Sequence, residues 1–558
     1  MEFMYEKNDN EKLFNSVLSS NSINVSSPQN YTPIYEKFFE LSQKNYNIIN
    51  LNNKNKLREV KDKITNNIFL CSIENNGEKE VEVFFKFSPL IDPTKYLIGK
   101  YDITNNKLLQ LPCFGSTNSL SKSRCSNNSA YVDGFFTYLT SKLLHSHNFI
   151  HAVDFYGSFL ANKNDFECNI ADDIEYLNES SFFHKHSGIL FKVENEFANQ
   201  MFNYDTRQNK EKINLTDSEE LIELSNISDL QELNTMFEST TLEINKDKDN
   251  TLDLLFSYDL SGNIINDDNS SECSSRTSIT ETDDKSNNTD TGSETYSGVS
   301  TASEDVMIAT IPSFPVNVIA MEKCYSTLDS FIIEKGGKLQ DDEWGSMMIQ
   351  VIMMLIVYQK TYKLTHNDLH TNNIMYVKTE NKFLYYKIKD VYYKVPTYGR
   401  IYKIIDFGRA IYSFRGNVIC SDSYHPSGDA ATQYNFEPYL NKNKPLVDPN
   451  YSFDLCRLGC SLIDFIEDEL NESKANDAKR IIQEWCEDDK GRNVLYKNNG
   501  EERYPNFKLY KMIARTVHNH TPELELNKKY FSKYRVSKKK IEKDIILMNI
   551  DEIPSYVN

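Results

Sequence analysis

Residues 68–73 form an apolar run and residues 81–87 alternate apolar with polar, both patterns of strands. Between these runs stands Asn76-Gly77, a pair whose tolerance of positive φ closes two-residue turns, so a hairpin is expected. Helical spacing follows over 131–144, then a strand-like stretch at 152–159. The apolar run 314–324 reads as a buried strand ending in a hinge. Helical spacing returns over 342–362 and again over 452–520. Within the first of these, 347–358 is apolar but for Gln350, too short to cross a bilayer and suited to a buried helix. Strands come first and helices later. This order predicts an α+β chain with a small antiparallel sheet lobe and a larger, mainly helical lobe.

Two regions break the pattern. Residues 1–55 are rich in Asn and Ser, with one short helix expected over 31–41, and read as an N-terminal extension. Residues 266–305 hold ten Asp or Glu against two basic residues and a single aromatic. So little apolar surface cannot offset the entropy of ordering, so an acidic, partly disordered insertion is expected at about 205–305. Its neighbour 215–256 keeps helical apolar spacing.

The net charge of −19 over 558 residues argues against a nucleic-acid surface as the main role of the chain, and no nucleic-acid partner is expected. A basic run, Lys533 to Lys540 with Lys543, reads as a solvated tail. Ten cysteines stand without a C-x-x-C pair, which favours reduced thiols in a cytoplasmic compartment. The N-terminus lacks the apolar core of a signal peptide, and no membrane association is expected. A monomer is the expected state.

The candidate chemistry lies in two short runs. His366-Asn-Asp-Leu-His-Thr-Asn-Asn-Ile-Met375 has an Asp two residues after its His and an Asn five residues after that Asp. Ile404-Ile-Asp-Phe-Gly-Arg-Ala410 puts Asp-Phe-Gly after apolar residues. Phosphoryl transfer asks a protein for a carboxylate to orient the attacking hydroxyl, and for a carboxylate and an amide to hold magnesium on the phosphates. Asp368, Asn373 and Asp406 would supply these groups, with Asn373 and Asp406 as the expected metal ligands.

These motifs resemble those of the eukaryotic-like protein-kinase superfamily over about residues 60–520. The resemblance implies a bilobal protein-kinase-like fold and an ATP-dependent transfer of the γ-phosphate to Ser or Thr hydroxyls of a protein substrate, with ATP and Mg2+ bound. It implies that Lys86, in Val81-Glu-Val-Phe-Phe-Lys-Phe87, contacts the nucleotide phosphates, with Asp133 as its helical partner. Met321, Glu322 and Cys324 would form the adenine hinge, and Asp454 would brace the catalytic-loop backbone from the start of a helix. The Asp-Leu-His form of the catalytic loop is similar to that of haspin-like kinases. A closer likeness is to divergent kinases of giant DNA viruses, through Phe84-Phe-Lys-Phe-Ser-Pro-Leu90, Tyr393-Lys-Val-Pro-Thr-Tyr-Gly399 and Arg503-Tyr-Pro-Asn-Phe-Lys-Leu-Tyr-Lys-Met-Ile513. A viral source would place the chain in the host-cell cytoplasm, with packaging into virions open. The domains then run 1–55 (extension), 56–322 (sheet lobe with the insertion), 323–525 (helical lobe) and 526–558 (basic tail).

Several residues depart from the family pattern. No G-x-G-x-x-G precedes Lys86, Asn367 replaces the Arg before the catalytic Asp, and His370 replaces a Lys that follows it. The stretch from Asn373 to Asp406 is long, so its hairpin carries an insertion, and the nearest match to A-P-E is Phe436-Glu-Pro438. Two other readings stay open: a pseudokinase acting as a binding scaffold, and a small-molecule phosphotransferase of the same fold.

Overall fold

The computed structural model describes residues 3–19, 23–194, 307–466, 476–505, 507–541 and 545–558. They fall in one compact unit, Met1–Asp205 with Glu272–Asn558; a second unit, Thr206–Ser271, lies outside the described residues. The expected insertion at 205–305, with its helical spacing at 215–256 and its acidic segment at 266–305, also lies outside them.

The architecture is mixed α+β with several antiparallel sheets. The largest has seven strands: β1 (Val25–Gln29), β2 (Lys56–Lys63), β3 (Ile68–Glu74), β4 (Glu78–Pro89), β5 (Phe155–Asn169), β6 (Lys192–Glu194) and β7 (Ile308–Glu322). Their order is β1-β5-β7-β4-β3-β2, with β6 also paired to β7. The expected hairpin is β3–β4, and Asn76 and Gly77 close it at φ of 52° and 142°. Period-two alternation in β4 sends Val83 and Phe85 into a fully buried core and puts Phe84, Lys86 and Ser88 on the other face.

Helix α1 (Ser129–His147) starts at Asn128, whose side chain accepts from the Ala130 N–H, and ends at Asn148 in the left-handed region. Residues 130–143 of this helix are buried on every side, as expected of a segment with hardly a charge to expose. It is clamped from several directions. The Phe135 ring stacks on Phe38 at 4.9 Å, and the hydroxyls of Tyr412 and Tyr362 donate to the carbonyls of Val132 and Leu139, each at 3.0 Å.

Beyond the sheet come helices α2 (Leu328–Glu334) and α3 (Asp341–Tyr362). A capping box between Gln340 and Glu343 starts α3, and its apolar centre is fully buried, as its composition requires. Helices α4 (Phe453–Leu462), α5 (Asp477–Trp485), α6 (Lys508–Thr516) and α7 (Pro522–Leu526) follow. This half is nevertheless not mainly helical, contrary to expectation. Strands β8 (Ile374–Lys378) and β11 (Arg400–Ile404) pair with each other, and β8 also with Ser326–Thr327. Between them, β9 (Phe383–Ile388) and β10 (Val391–Pro396) form the inserted hairpin, and β12 (Ile411–Phe414) pairs with β13 (Asn417–Cys420). Aromatic and β-branched residues at alternate positions of 374–404 favour a pleated surface over a helix.

Both chain ends are built into the fold. The expected extension contributes β1 to the large sheet, and its expected helix is a 3-10 turn, Pro33–Lys37. The expected basic tail supplies β14 (Arg535–Val536) and β15 (Leu547–Asn549), which complete a four-stranded sheet with β9 and β10. Aromatic and aliphatic residues between the lysines, such as the buried Tyr534, Met548 and Tyr556, account for this. Among the described residues no helix is long and apolar enough to cross a membrane.

Candidate active site

A cavity of about 1020 Å³ opens between the large sheet and the strands and loops of the second half. Lys86, Asp133, Met321, Glu322, Cys324, Asp368 and Asp406 all line it, although the chain separates the first from the last by 320 positions. On α1, Ala130, Asp133 and Thr137 share the face that looks into the cavity.

Lys86 is the centre of the charge arrangement. Its Nζ lies 2.7 Å from Asp133 Oδ2 and 2.9 Å from Asp406 Oδ1. Burial opposes the charge on the lysine, but the two carboxylates outweigh it and raise its pKa, so it stays protonated. Burial likewise disfavours the charge on Asp406, and Lys86 more than compensates, which holds that carboxyl below its ordinary range. Asp133 goes the other way: its complete burial, with Asp406 close by, raises it despite Lys86. Its second oxygen accepts from the Phe407 N–H at 2.8 Å, so one helical acid holds both the lysine and the Asp-Phe-Gly backbone.

Asp406 sits at φ 62° and Asn367 at φ 67°, a region that non-glycine residues rarely adopt. The Phe407 ring fixes the first of these turns by packing against Phe136 at 4.6 Å and His366 at 5.3 Å. Buried Asp454, at the start of α4, fixes the second. Its two oxygens accept from the backbone N–H groups of His366 at 2.9 Å and Asn367 at 2.8 Å, the bracing expected from the sequence.

Asp368 follows directly. One carboxylate oxygen accepts from the Tyr510 hydroxyl at 2.9 Å, and that hydroxyl accepts from Arg457 Nε at 2.9 Å. The other oxygen lies 3.9 Å from Arg409 Nε, too far for a hydrogen bond and open to a ligand hydroxyl. Burial raises the Asp368 pKa, but Arg409, His370, Arg457 and the Tyr510 hydrogen bond together leave it below its ordinary value. His370 is pulled down to about 4, chiefly by burial, and is therefore neutral at pH 7.

Asn373 is not among the lining residues. Its amide lies just behind them, with Nδ2 donating to the Asp368 carbonyl at 2.9 Å and to His370 Nε2 at 3.1 Å. The Asn373 Oδ1 makes no hydrogen bond among the described residues and is free to ligate. Carboxylate and amide oxygens, the donor types that Asp406 and Asn373 offer, suit a hard cation such as Mg2+, which takes few protein ligands and completes its shell with water and phosphate oxygens. No cluster of three or more His, Cys, Asp or Glu side chains fit to hold a metal by itself occurs among the described residues.

Apolar walls come from Ile68 and Phe84 of the sheet and from Met375 and Ile405 of the second half. Glu322 turns its side chain to buried Lys403 at 2.7 Å, and its N–H donates to the Asp154 carbonyl at 2.8 Å. These contacts anchor the end of β7 where the adenine hinge is expected.

Two parts of the site carry no family motif in the sequence. The turn between β2 and β3, residues 64–67, lines the cavity without a glycine. Thr65 Oγ1 closes it by accepting from the Asn67 and Ile68 N–H groups at 3.3 and 3.0 Å, the bonding a side chain can give a turn in place of glycine. Tyr510 stands 142 positions from Asp368, and nothing in residue spacing links them. A scan against models of known protein families gives no match, and a search of curated proteins gives none either.

Proposed function

We propose that this chain is an ATP-dependent protein kinase that phosphorylates serine or threonine hydroxyls. On this reading the two sides of the cavity are the two lobes of a kinase-like fold, of the divergent kind resembling kinases of giant DNA viruses. The observation that carries it is Lys86 bridging Asp133 and Asp406 in one cavity with Asp368. Adenine would lie between the apolar walls, with its edge toward 322–324, and the phosphates would lie under the 64–67 turn, toward Lys86.

Mg2+ held by Asp406 and Asn373 would neutralise charge on the phosphates. The free oxygen of Asp368 would accept the hydrogen bond of the substrate hydroxyl and aim its oxygen at the γ-phosphorus. The bond from that phosphorus to the bridging oxygen breaks as the new P–O bond forms, and ADP leaves with the electron pair. The hydroxyl proton passes to Asp368 and then to water. A carboxylate of lowered basicity accepts a proton late, which suits a group whose main work is orientation. Incubating the purified chain with γ-labelled ATP, Mg2+ and either generic protein substrates or small alcohols tests the proposal. Label on protein Ser or Thr supports it; label on small alcohols alone, or none at all, contradicts it.

Tyr510→Phe keeps the ring and removes the hydroxyl that one Asp368 oxygen accepts from. On this reading kcat falls about fivefold to tenfold, while KM for ATP holds, as for the loss of one hydrogen bond that orients a reacting group. Because the phenol helps to lower the Asp368 pKa, its loss raises that pKa. The acidic limb of the pH–rate profile therefore moves to higher pH. A profile that does not move would deny Tyr510 this role.

The segment after Asp-Phe-Gly is held by side chains of the chain itself. Asn367 Nδ2 donates to the Arg409 carbonyl at 3.1 Å and its Oδ1 accepts from Tyr434 at 2.6 Å. Asp429 pairs with Arg409, and Asp422 takes Lys122 at 2.6 Å and the Ser129 N–H at 3.0 Å. These carboxylates supply the anionic contacts that phosphorylation would otherwise add. Phosphatase treatment is thus expected to leave the rate within about twofold. A large loss mapped to a residue between 412 and 434 would contradict this.

A further inference from the structure

Helix α6 carries Tyr510 to Asp368, and the same helix presents Lys508, Lys511 and Arg515. These positions are three and four residues apart and share one face. Lys508 and Arg515 are exposed and Lys511 is half-buried. Arg515 reaches the segment after Asp-Phe-Gly by donating to the Thr432 carbonyl at 2.7 Å, and exposed Lys444 of that segment adds a fourth cation. Lys511 lies over the Phe507 ring, which stacks on Tyr510 at 5.3 Å, so the patch is continuous with the support of Asp368. None of the four cations forms a salt bridge among the described residues, whereas exposed Lys61 in the sheet and exposed Lys389 in the β9–β10 turn each do. Burial, together with Arg515, Lys444 and Lys508, lowers the Lys511 pKa; no acid offsets them. Like charges gathered this way repel one another, and an unpaired cationic patch is unexpected on a chain of net charge −19.

We infer that Lys444, Lys508, Lys511 and Arg515 form an anionic subsite for the acceptor, so that the chain selects polypeptides bearing carboxylate or phosphate groups within a few residues of the phosphorylated hydroxyl. The inference rests on the kinase reading above and names its substrate class. An anionic side chain near the acceptor relieves the repulsion among the four cations, whereas a basic one adds to it.

The test uses the full chain and peptides that share one acceptor serine, flanked by Asp and Glu, by phosphoserine, by Gln and Asn, or by Lys and Arg. Transfer is followed with labelled ATP, and binding separately by fluorescence anisotropy. The acidic peptides are expected to exceed the neutral one in kcat/KM by about tenfold or more, and the basic one to fall below it. The Asp/Glu and phosphoserine arms tell which anion serves better. Lys508→Glu with Lys511→Glu, and independently Lys444→Glu on the other element, are expected to reduce the preference to within about threefold, and added salt to weaken it. Efficient transfer without acidic preference, or a preference untouched in both folded variants, overturns the inference and leaves the kinase reading standing. Selective binding of acidic peptides without transfer to any of them supports the subsite and overturns the kinase reading. Lys511-dependent binding to anionic vesicles or RNA, with no binding of acidic peptides, overturns the inference.

Discussion

Replacing Asp406 by asparagine is expected to lower phosphoryl transfer by about three decades or more while the protein stays folded. Asparagine keeps the shape of the side chain and is among the few residues that tolerate the left-handed backbone found here at φ 62°. The substitution removes one charge from the proposed magnesium site and one of the two carboxylates on Lys86. Asp133 remains to hold the lysine at 2.7 Å, so the loss falls on the chemistry more than on stability. Melting within a few degrees of wild type, with transfer near background, is the expected pair of results. Activity within tenfold of wild type would remove Asp406 from the mechanism.

Lys86→Met should be costly in both respects. Two carboxylates meet the ammonium, and Asp133 is almost wholly buried, with its side chain 3% exposed. Removing the cation leaves like charges side by side in a poorly solvated site, which costs about 3–5 kcal/mol for a buried pair broken on one side. Transfer should fall by at least about a hundredfold, since the lysine would also contact the nucleotide phosphates. A denaturant melt of Lys86→Met, Asp133→Asn and the double variant measures the coupling. If the account is right, Asp133→Asn recovers part of the stability lost in Lys86→Met, because it removes one of the stranded charges. Additive losses would mean that the pair does not interact as described.

Much of this site was legible in the sequence because its chemistry is local. Asp368 and Asn373 share a loop, Asp406 heads its own turn, and alternation in β4 fixes which way Lys86 points. Asp133 was readable as the one acid on a helix that is otherwise uncharged up to Lys142. Contacts made only by folding were not. Tyr510, Arg457 and Arg409 converge on Asp368 from three separate segments, and a polar turn closed by Thr65 does not resemble a glycine loop. The expectation of a mainly helical second half follows from the helical spacing over 342–362 and 452–520. The hairpin expected between Asn373 and Asp406 is larger than its length alone implies, because aromatic alternation over 374–404 builds four strands, and apolar residues near both chain ends tie those ends into the fold.

The central claim is that Lys86, Asp133, Asp368, Asn373 and Asp406 form one phosphoryl-transfer site. The most direct measurement is Mg2+-dependent incorporation of the labelled γ-phosphate of ATP into protein serine or threonine by the purified chain, run beside Asp406→Asn. The account predicts label that requires Mg2+ and disappears in the variant. Equal incorporation by the two proteins, or none by the wild-type chain across acidic, neutral and basic substrates, would contradict it.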